Sequence, residues 1–495
     1  MAATFPERFS EVVVDHPRKK ILSDDHGDYS SEHIFNAASF IATQILPPQK
    51  LSGKQIAILV LPGMDYVACM LASWMRGAMA VPLCVDHPTA ELEYVLQDSE
   101  ASFTLCHPSL RSKIPGQKNI LAVDLRNFKG EYIPNNWDYP APDSNALMLY
   151  TSGTTGKPKG VVHTHASLLA QIECLIEAWK WTEEDSILHF LPLHHTHGIV
   201  NKLLCALYSG ARCDMLPKFD AEIAWKRITA KNYSLFMAVP TVYAKLVQHW
   251  ERSNAEEQKK YSGACAGMRL MVSGSAALQI PLLEKWKMIS GHILLERYGM
   301  TETGMVLSNP LDGERRPGAV GIPLPGMEVR IVNEGQVQSG EGVEGELEVR
   351  GKNLFKEYWK RPDETRKAFT PDGWFRTGDM VTYERGYYSI KGRLSTDIIK
   401  SGGYKISALE IENIIASHPA IVECCVIGIP DETWGEKIAA VVKLKDGSEL
   451  SLEALRAFAE NKIAAYKLPS VLKILNELPR NAMGKVVKSE ARKLL

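Results

Sequence analysis

The sequence has almost no net charge and no long apolar run. Its 57 Lys and Arg nearly balance 58 Asp and Glu, so the formal net charge is -1 over 495 residues. This balance does not indicate a surface that binds nucleic acid. No stretch approaches the roughly 20 apolar residues of a membrane-spanning helix, so no membrane span is predicted. Internal repeats and low-complexity tracts are also lacking, which excludes repeat architectures.

The cysteines lack a spacing pattern. There are 9 in the chain, none forms a C-x-x-C pair, and Cys424 and Cys425 are adjacent. This arrangement fits neither a disulfide framework nor a zinc knuckle, and it indicates reduced, mostly buried thiols inside a cell. The first twenty residues contain Glu7, Glu11 and Asp15, whereas transit peptides are poor in acids and secretory signals need an apolar run. We therefore predict a cytoplasmic protein.

What is present is enough apolar sequence for several cores, with 45% hydrophobic and 23% charged residues. Gln55–Leu61, Asp65–Gly77 and Ala78–Leu83 are typical of a strand, a helix and a strand, and this order implies a parallel sheet. Further short strands are predicted over Ala211–Leu216, Leu235–Val239 and Arg269–Val272. The fold class is therefore α/β, with layered sheets and flanking helices.

Two later regions have a different character. A glycine-rich region with short strands predicts a β-rich subdomain at about residues 329–392. A smaller α+β pattern follows it and can form its own domain over 393–495. We therefore expect a large N-terminal domain, 1–392, and a small C-terminal domain, with a hinge at Gly392–Ser395.

The C-terminal domain should contain an amphipathic helix over Ser407–Ser417. Ser407 is its expected N-cap, and Glu410 three residues later completes a capping-box pattern. Ile421–Ile429 and Ile438–Leu444 are predicted strands of the same domain.

Tyr150–Gly160 (YTSGTTGKPKG) concentrates residues that bind anions. Three glycines, four hydroxyl residues and two lysines lie within eleven positions. Glycine lets backbone N–H groups approach a phosphate closely, hydroxyl groups add donors, and lysine adds charge. The spacing is not that of a Walker A loop, which has four residues between its glycines and then Gly-Lys-Ser/Thr. The residues alone leave open a surface turn made of small residues.

This string resembles the signature of adenylate-forming enzymes, which include acyl-CoA synthetases, firefly-luciferase-like enzymes and peptide-synthetase adenylation domains. The resemblance continues over almost the whole chain, in the family's order. It implies a ligase that uses ATP and Mg²⁺ to make an acyl-adenylate and then passes the acyl group to coenzyme A. The loop residues implied to bind ATP are Thr151, Ser152, Gly153, Thr154, Thr155, Gly156, Lys157, Lys159 and Gly160.

The same resemblance assigns roles further along the chain. In Leu191–Gly198 (LPLHHTHG), His195 matches a histidine that gates the acyl pocket. Alternatively, these histidines are structural residues of a loop, with their hydrogen bonds made inside the protein. A zinc site is disfavoured because the neighbouring sequence supplies no cysteine or carboxylate as a further ligand. In Val272–Leu278 (VSGSAAL), the residues implied on the adenosine side are Ser273, Gly274 and Ser275.

Three more motifs complete the nucleotide site. In Arg297–Glu302 (RYGMTE), the resemblance implies Tyr298 on adenine, Thr301 at the phosphates and Glu302 at Mg²⁺. Asp379, in GWFRTGD, and Arg393 match residues that bind the ribose and the nucleotide. Lys485, in PRNAMGK, matches the family's catalytic lysine, which bridges the attacking carboxylate and the α-phosphate.

The family performs its second step after the C-terminal domain rotates. Ser395, two residues after Arg393, matches the hinge. The loop from Lys400 to Tyr404 (KSGGY) would then line the pantetheine tunnel, with Lys400, Gly402, Gly403 and Tyr404 as its implied residues. A carrier-protein-loading enzyme is the alternative for the acceptor, and a sensor that has lost catalysis is a third hypothesis.

Arg297 carries the argument about which acid is used. A buried arginine needs a negative partner, and the guanidinium fork suits a second carboxylate on the substrate. His197 adds a polar group to the same wall. These motifs together resemble the branch of the family that makes malonyl-CoA, which implies malonate, with methylmalonate as a relative.

Several alternatives remain open at the level of sequence. Arg297 could pair with Glu296 and face away from the substrate, and another short carboxylic or dicarboxylic acid could be the substrate. Mitochondrial members of that branch carry a leader, so a mitochondrial location is the alternative to the cytoplasm. The sequence carries no signal of an oligomeric state.

Overall fold

The computed structural model describes residues 4–130, 137, 139–151, 157–402, 404–480 and 486–495. The α-helices, in chain order, are α1 (Phe5–Asp15), α2 (Ser31–Phe40), α3 (Met64–Met75), α4 (Thr89–Asp98), α5 (His165–Trp179), α6 (Thr196–Gly198), α7 (Cys205–Ser209), α8 (Ala221–Ala230), α9 (Pro240–Arg252), α10 (Ala255–Ala266), α11 (Ile280–Ser290), α12 (Pro362–Ala368), α13 (Ala408–Ile415), α14 (Leu452–Ala459) and α15 (Lys488–Arg492). Ile41–Ile45 and Ile199–Leu204 are π-helical, and Pro108–Lys113 and Ala465–Lys467 are 3₁₀ turns.

The strands are β1 (Lys20–Asp24), β2 (Gly27–Ser30), β3 (Gln55–Leu59), β4 (Met79–Pro82), β5 (Phe103–Cys106), β6 (Ile120–Ala122), β7 (Asn145–Thr151), β8 (Lys159–Thr164), β9 (Ser186–His189), β10 (Arg212–Met215), β11 (Leu235–Ala238), β12 (Leu270–Ser273), β13 (Leu295–Met300), β14 (Gly304–Ser308), β15 (Ile322–Pro323), β16 (Met327–Asn333), β17 (Gln336–Gln338), β18 (Val343–Gly351), β19 (Glu357–Tyr358), β20 (Phe375–Glu384), β21 (Tyr387–Arg393), β22 (Ile398–Ser401), β23 (Tyr404–Ser407), β24 (Ile421–Asp431), β25 (Gly435–Leu444) and β26 (Val471–Ile474).

Two large sheets form the body of the N-terminal region. The first has the order β19-β8-β7-β4-β3-β5-β6, and the second has the order β15-β14-β13-β12-β11-β9-β10-β1-β2. Their central strands pair in parallel, as between β3 and β4 and between β11 and β12. The predicted strand, helix and strand correspond to β3, α3 and β4, so the α/β prediction is confirmed. All residues of β3 and β4 are buried, which explains their continuous apolar sequence.

The β-rich region and the C-terminal region each have their own sheet. The order β17-β16-β18-β20-β21 is antiparallel throughout. The C-terminal sheet has the order β23-β22-β25-β24, and β26 adds in parallel to β25. Buried residues of this sheet and α13 pack into a core of their own, centred on Ile411, Val426 and Val442.

One predicted detail of α13 is wrong. Ser407 caps the helix as expected, since its Oγ accepts a hydrogen bond from the N–H of Glu410 at 3.2 Å. The Glu410 carboxylate does not return the bond that a capping box requires. It instead accepts from Lys467 Nζ at 2.7 and 2.8 Å, because an ion pair with a lysine outcompetes a bond to a neutral backbone N–H.

Two predictions from the composition concern the cysteines and the lack of a membrane-spanning helix. All nine cysteines are free and buried, as predicted for reduced thiols. Within the described ranges, the longest apolar helices remain too short or too polar to cross a bilayer.

Candidate active site

The phosphate-loop sequence connects two paired strands. β7 and β8 are antiparallel, with Tyr150 opposite Gly160 and Thr151 opposite Lys159. The Tyr150 hydroxyl donates to Asp98 Oδ2 at 2.7 Å, which anchors the end of β7 on α4. Five loop residues that the sequence implicates in ATP binding lie outside the described residues: Ser152, Gly153, Thr154, Thr155 and Gly156.

Lys159 and Glu302 meet at the same tyrosine. Lys159 Nζ lies 5.2 Å from the centroid of the Tyr358 ring and forms an ion pair with Glu364. The Tyr358 hydroxyl donates to Glu302 Oε1 at 2.9 Å. Lys159 of the phosphate loop and Glu302 of the RYGMTE motif thus share one contact residue, although 143 positions separate them in the sequence.

Glu302 fits a hard divalent cation. Its side chain is buried, and burial raises the pKa of its carboxyl above the ordinary range. The hydrogen bond from Tyr358 engages Oε1, which leaves Oε2 as the atom available to a metal. Carboxylate oxygen is the ligand that Mg²⁺ prefers beside phosphate and water, and a cation here would favour the ionised carboxylate against the cost of its burial.

His163 forms a hydrogen bond with the backbone of the RYGMTE motif. The carbonyl of Thr301 accepts a hydrogen bond from His163 Nε2 at 2.8 Å. Burial lowers the pKa of His163 to about 4, so the ring is neutral and Nε2 carries its single proton. His163 Nδ1 faces Ser167 Oγ and Gln171 Nε2, both at 3.3 Å. The motif therefore rests on a buried polar network of β8 and α5.

Tyr298, Asp379 and Arg393 form a second group. The Tyr298 hydroxyl donates to Asp379 Oδ2 at 2.6 Å. Arg393 Nε donates to Asp379 Oδ1 at 2.9 Å, and its Nη2 reaches Oδ2 at 3.3 Å. Burial opposes the charge of Arg393, but its bonds to Asp379 raise the pKa of the guanidinium overall. Three residues predicted from separate motifs are thus in direct contact.

Arg297, Ser275 and His197 form a hydrogen-bonded chain with buried ends at Arg297 and His197 and an exposed serine between them. Arg297 Nη2 donates to Ser275 Oγ at 3.2 Å, and Ser275 Oγ lies 3.2 Å from His197 Nδ1. Because the serine oxygen accepts from Arg297, its own proton is directed to Nδ1, and His197 then carries its proton on Nε2. Burial, followed by the charge of Arg297, holds the pKa of His197 well below its usual value, so the ring stays neutral.

Gly274 makes room for this arginine. A Cβ atom at position 274 would lie 2.5 Å from Arg297 Nε and 2.6 Å from its Cζ, closer than real Cβ atoms approach their neighbours. The next residue, Ser275, has a φ of +68°, in the left-handed region. The glycine loop after β12 is therefore shaped around the guanidinium as well as being a candidate nucleotide loop.

Arg297 has no carboxylate partner among the described residues. It is 4% exposed, and its Nε–H has no acceptor there; the same holds for His197 Nε2. Burial alone lowers the pKa of Arg297 to about 10. Glu296, the alternative partner, accepts from the N–H of Gly318 at 2.8 Å instead, and burial raises its pKa to about 8. The Nε–H of Arg297 and the Nε2–H of His197 are therefore buried donors without an acceptor in the described residues.

The histidine loop follows β9 and brings two more rings to this region. The His194 and His195 centroids are 4.0 Å apart, and burial lowers the pKa of His195 to about 4. The argument against a zinc site assumed that no cysteine lies near the histidine loop, and this assumption is wrong. Cys84 and His87, which follow β4, lie beside His194, because the fold joins segments more than one hundred residues apart.

The described candidate residues of the second step contact other residues of the C-terminal region. Glu436 Oε2 accepts from the Lys400 N–H at 2.7 Å, and the Gly402 N–H donates to the Trp434 carbonyl at 2.9 Å. The Tyr404 ring stacks on Tyr466, with centroids 4.4 Å apart. Ser395 follows the end of β21. Gly403 and Lys485, for which the sequence predicts roles, lie outside the described residues.

Sequence reasoning missed three residues of the site. Tyr358 and His163 have no local motif that marks them, since each acts through a contact with a distant segment. Lys202 is fully buried, and its Nζ donates to the carbonyls of Leu188 and Met237 at 2.8 and 3.0 Å. It is near enough to His197 for its charge to lower the pKa of that ring. A lysine within the apolar run that follows the histidine loop was the only signal for it.

Comparisons with known proteins agree with this geometry. A family described as AMP-binding enzyme matches residues 9–359, and its C-terminal domain matches 410–485. The mitochondrial malonate–CoA ligase ACSF3 of Xenopus laevis is 43% identical, covering 98% of this chain and 92% of the relative.

Two solved structures are also similar to this chain. ATP-bound MatB from Rhodopseudomonas palustris has a TM-score of 0.89 at 31% identity, with 99% of each chain covered. A malonyl-CoA ligase with methylmalonyl-CoA and AMP bound has a TM-score of 0.68 at 36% identity, with 93% of this chain and 97% of that chain covered.

Proposed function

This chain belongs to the AMP-binding enzyme family, and from that premise we propose that it is an ATP-dependent malonate–CoA ligase. It adenylates malonate and transfers the malonyl group to coenzyme A, giving malonyl-CoA, AMP and pyrophosphate. Methylmalonate is accepted as a second substrate. The relative from Xenopus laevis is named a malonate–CoA ligase, and the similar product complex holds methylmalonyl-CoA and AMP.

The observation that carries the choice of acid is the unpaired guanidinium of Arg297. A fully buried arginine without a carboxylate partner costs free energy, and a substrate carboxylate removes that cost. Its Nε–H and the Nε2–H of His197 are buried donors without acceptors in the described part of the chain. A carboxylate offers two oxygens, so it can accept a hydrogen bond from the guanidinium and one from a second donor. A monocarboxylic acid would leave both donors without an acceptor, so these two residues favour a short dicarboxylic acid.

In the first step, the reacting carboxylate of malonate attacks the α-phosphorus of ATP, and pyrophosphate leaves. Lys485 stabilises the charge that builds between these two anions. Asp379 accepts from the ribose hydroxyls, while Arg393 and Tyr298 hold its carboxylate in place through the bonds described above. His195, the expected gate of the acyl pocket, excludes water from it and stays neutral because burial lowers the pKa of its ring.

Mg²⁺ would be held by Glu302 together with phosphate oxygens and water. When bound, it neutralises charge on the triphosphate. Tyr358 orients the Glu302 carboxylate through its bond to Oε1, and the carbonyl of Thr301 is fixed by His163. These contacts place the side chains of Thr301 and Glu302 before the nucleotide arrives.

In the second step, the thiolate of coenzyme A attacks the acyl carbonyl, and AMP leaves. We propose that the C-terminal domain, 393–495, rotates about Ser395 between the steps, which removes Lys485 and brings Lys400, Gly402, Gly403 and Tyr404 to the thiol tunnel. The structure has a higher TM-score with ATP-bound MatB than with the product complex, although the protein in the product complex has the higher sequence identity to this chain. That difference supports an arrangement suited to adenylation.

The experiment that tests the function measures AMP release with ATP, Mg²⁺ and coenzyme A. The acids are malonate, methylmalonate, succinate, oxalate, acetate, propionate and octanoate. Turnover confined to malonate and methylmalonate is expected. Preference for acetate or octanoate would refute the dicarboxylate assignment while leaving adenylation intact, and adenylation without thioester formation would favour a carrier-loading enzyme.

The compartment is a separate proposal. The cytoplasm stays a prediction, which the nine free and buried cysteines support. The name of the relative from Xenopus laevis supports the mitochondrial alternative. Fractionation of cells that express the natural gene, with detection of the untagged protein, distinguishes the two.

A further inference from the structure

Three side chains that the proposed reaction does not use lie together next to His195. Cys84 and His87 follow β4 in a Cys-x-x-His turn, and His194 belongs to the histidine loop after β9. The thiol sulfur and one nitrogen of each ring lie within 4.8 Å of one another. Their positions at the ends of strands in two different sheets explain how such distant residues meet.

The chemistry of this set suits Zn²⁺. A thiolate and two imidazoles are common zinc ligands, with Zn–S near 2.3 Å and Zn–N near 2.0–2.1 Å, so ligand atoms around the ion lie roughly 3.3–3.6 Å apart. Because the three atoms lie within 4.8 Å of one another, a contraction of at most about 1.5 Å brings them to these distances, and side-chain rotation can supply it. Mg²⁺ prefers oxygen ligands and octahedral geometry, so this set does not suit the ion that the reaction uses.

Two further observations mark the set as a ligand site. His194 Nε2 is buried and has no hydrogen-bond partner in the described ranges. Glu91 Oε2 lies 3.2 Å from His87 Nδ1, which leaves Nε2 of that ring as the ligand atom. Zinc-binding histidines commonly donate their other ring nitrogen to a carboxylate in this way, because the bond fixes the tautomer and the ring orientation.

We propose that Cys84, His87 and His194 bind Zn²⁺, and that the bound ion inhibits the enzyme by holding the histidine loop. The Cys84 thiol gives its proton to solvent, and water fills the fourth position. The His194 ring lies 4.0 Å from that of His195, the residue expected to gate the acyl pocket. A metal that fixes His194 therefore restrains its neighbour. Binding of the ion does not rest on the proposed function, whereas the inhibition does.

A second cluster serves as the internal comparison. Asp65, His107 and Asp124 also bring three potential ligand atoms within 4.8 Å of one another. Asp124 already forms an ion pair with Arg126, and the cluster lacks a thiolate. Carboxylate-rich, partly exposed groups bind zinc more weakly than a site with a thiolate.

The binding test uses the full chain without ATP, so that the phosphate site does not bind the added metal. Zn²⁺ is titrated in competition with a chromophoric chelator, and Co²⁺ replaces it for absorption spectroscopy. We expect one tight equivalent and a thiolate-to-cobalt charge-transfer band. Cys84→Ser should abolish the band, and both Cys84→Ser and His87→Gln should weaken Zn²⁺ binding at least about tenfold. His107→Gln is the matched control and should change neither result.

The activity test uses saturating ATP and Mg²⁺ and follows malonate-dependent AMP release. Zn²⁺ should inhibit the wild type without competing with ATP. Cys84→Ser should keep its basal turnover and need at least about tenfold more Zn²⁺ for half inhibition. Tight binding that survives in Cys84→Ser, loss of binding in His107→Gln, or a cobalt complex without the thiolate band would overturn the site. Equal inhibition of Cys84→Ser and the wild type would overturn the inhibitory role.

Discussion

Replacing Arg297 by methionine tests the choice of substrate and the role of this side chain together. Methionine keeps an unbranched apolar side chain against Gly274, and it removes the charge and the donors. If Arg297 binds a substrate carboxylate, the variant should lose activity toward malonate selectively. If Arg297 is a structural residue, the variant should lose stability and lose activity toward every acid alike.

The magnitude follows from the burial of the guanidinium. Burial lowers the pKa of Arg297 to about 10, which corresponds to a cost of roughly 3 kcal/mol to the charged form. Binding a carboxylate recovers an energy of this order, so malonate kcat/KM should fall by about 10²-fold or more in Arg297→Met. The free protein loses an unpaired buried charge, so its Tm should stay level or rise.

The assay compares kcat/KM for malonate and propionate in wild type and variant. Propionate has a methyl group in place of the second carboxylate, so its kcat/KM should change little. Arg315→Met is the matched control, because burial also lowers the pKa of Arg315, whose guanidinium donates to the backbone carbonyls of Ile293 and Leu311. A malonate kcat/KM within about threefold of wild type, or an equal fall for both acids, would refute the reasoning.

Three more perturbations separate other parts of the site. Lys485→Ala should lose adenylation yet keep ATP binding and some thioester formation from supplied acyl-adenylate; equal loss of both half-reactions would contradict the proposed rotation. Asp379→Asn should raise the KM for ATP about tenfold, the loss of roughly one charged hydrogen bond, and leave the KM for malonate within about twofold. Lys202→Met tests a buried charge through pH. Burial lowers the pKa of Lys202 from 10.5 to about 7, so the unfolded chain binds one more proton than the folded chain between these values. Wild-type stability should therefore gain about 1.4 kcal/mol per pH unit from pH 7 toward 10.5, and lose this gain as pH falls through 7. The Tm of Lys202→Met minus that of the wild type should therefore decrease between about pH 7 and 9. A difference in Tm that does not change with pH would show that Lys202 does not titrate in this range.

The sequence predicted the fold where the local signal was strong. β3, α3 and β4 were found because short buried strands and a helix ending before glycine have distinct patterns. The nucleotide residues were found through motifs, since Tyr298, Asp379 and Arg393 are each marked by their own string. The capping box of α13 was half wrong because Lys467, 57 positions away, competes for the Glu410 carboxylate.

The chain by itself determined which elements form and which residue types are available to bind a nucleotide and an acid. Only the tertiary structure decided how they meet. It placed Tyr358 on Glu302, turned Glu296 away from Arg297, and joined Cys84 to His194. The physical reason is that propensity and spacing act over a few residues. Hydrogen bonds, charge and burial act between whatever atoms the sheets bring within a few ångströms, whatever their distance along the chain.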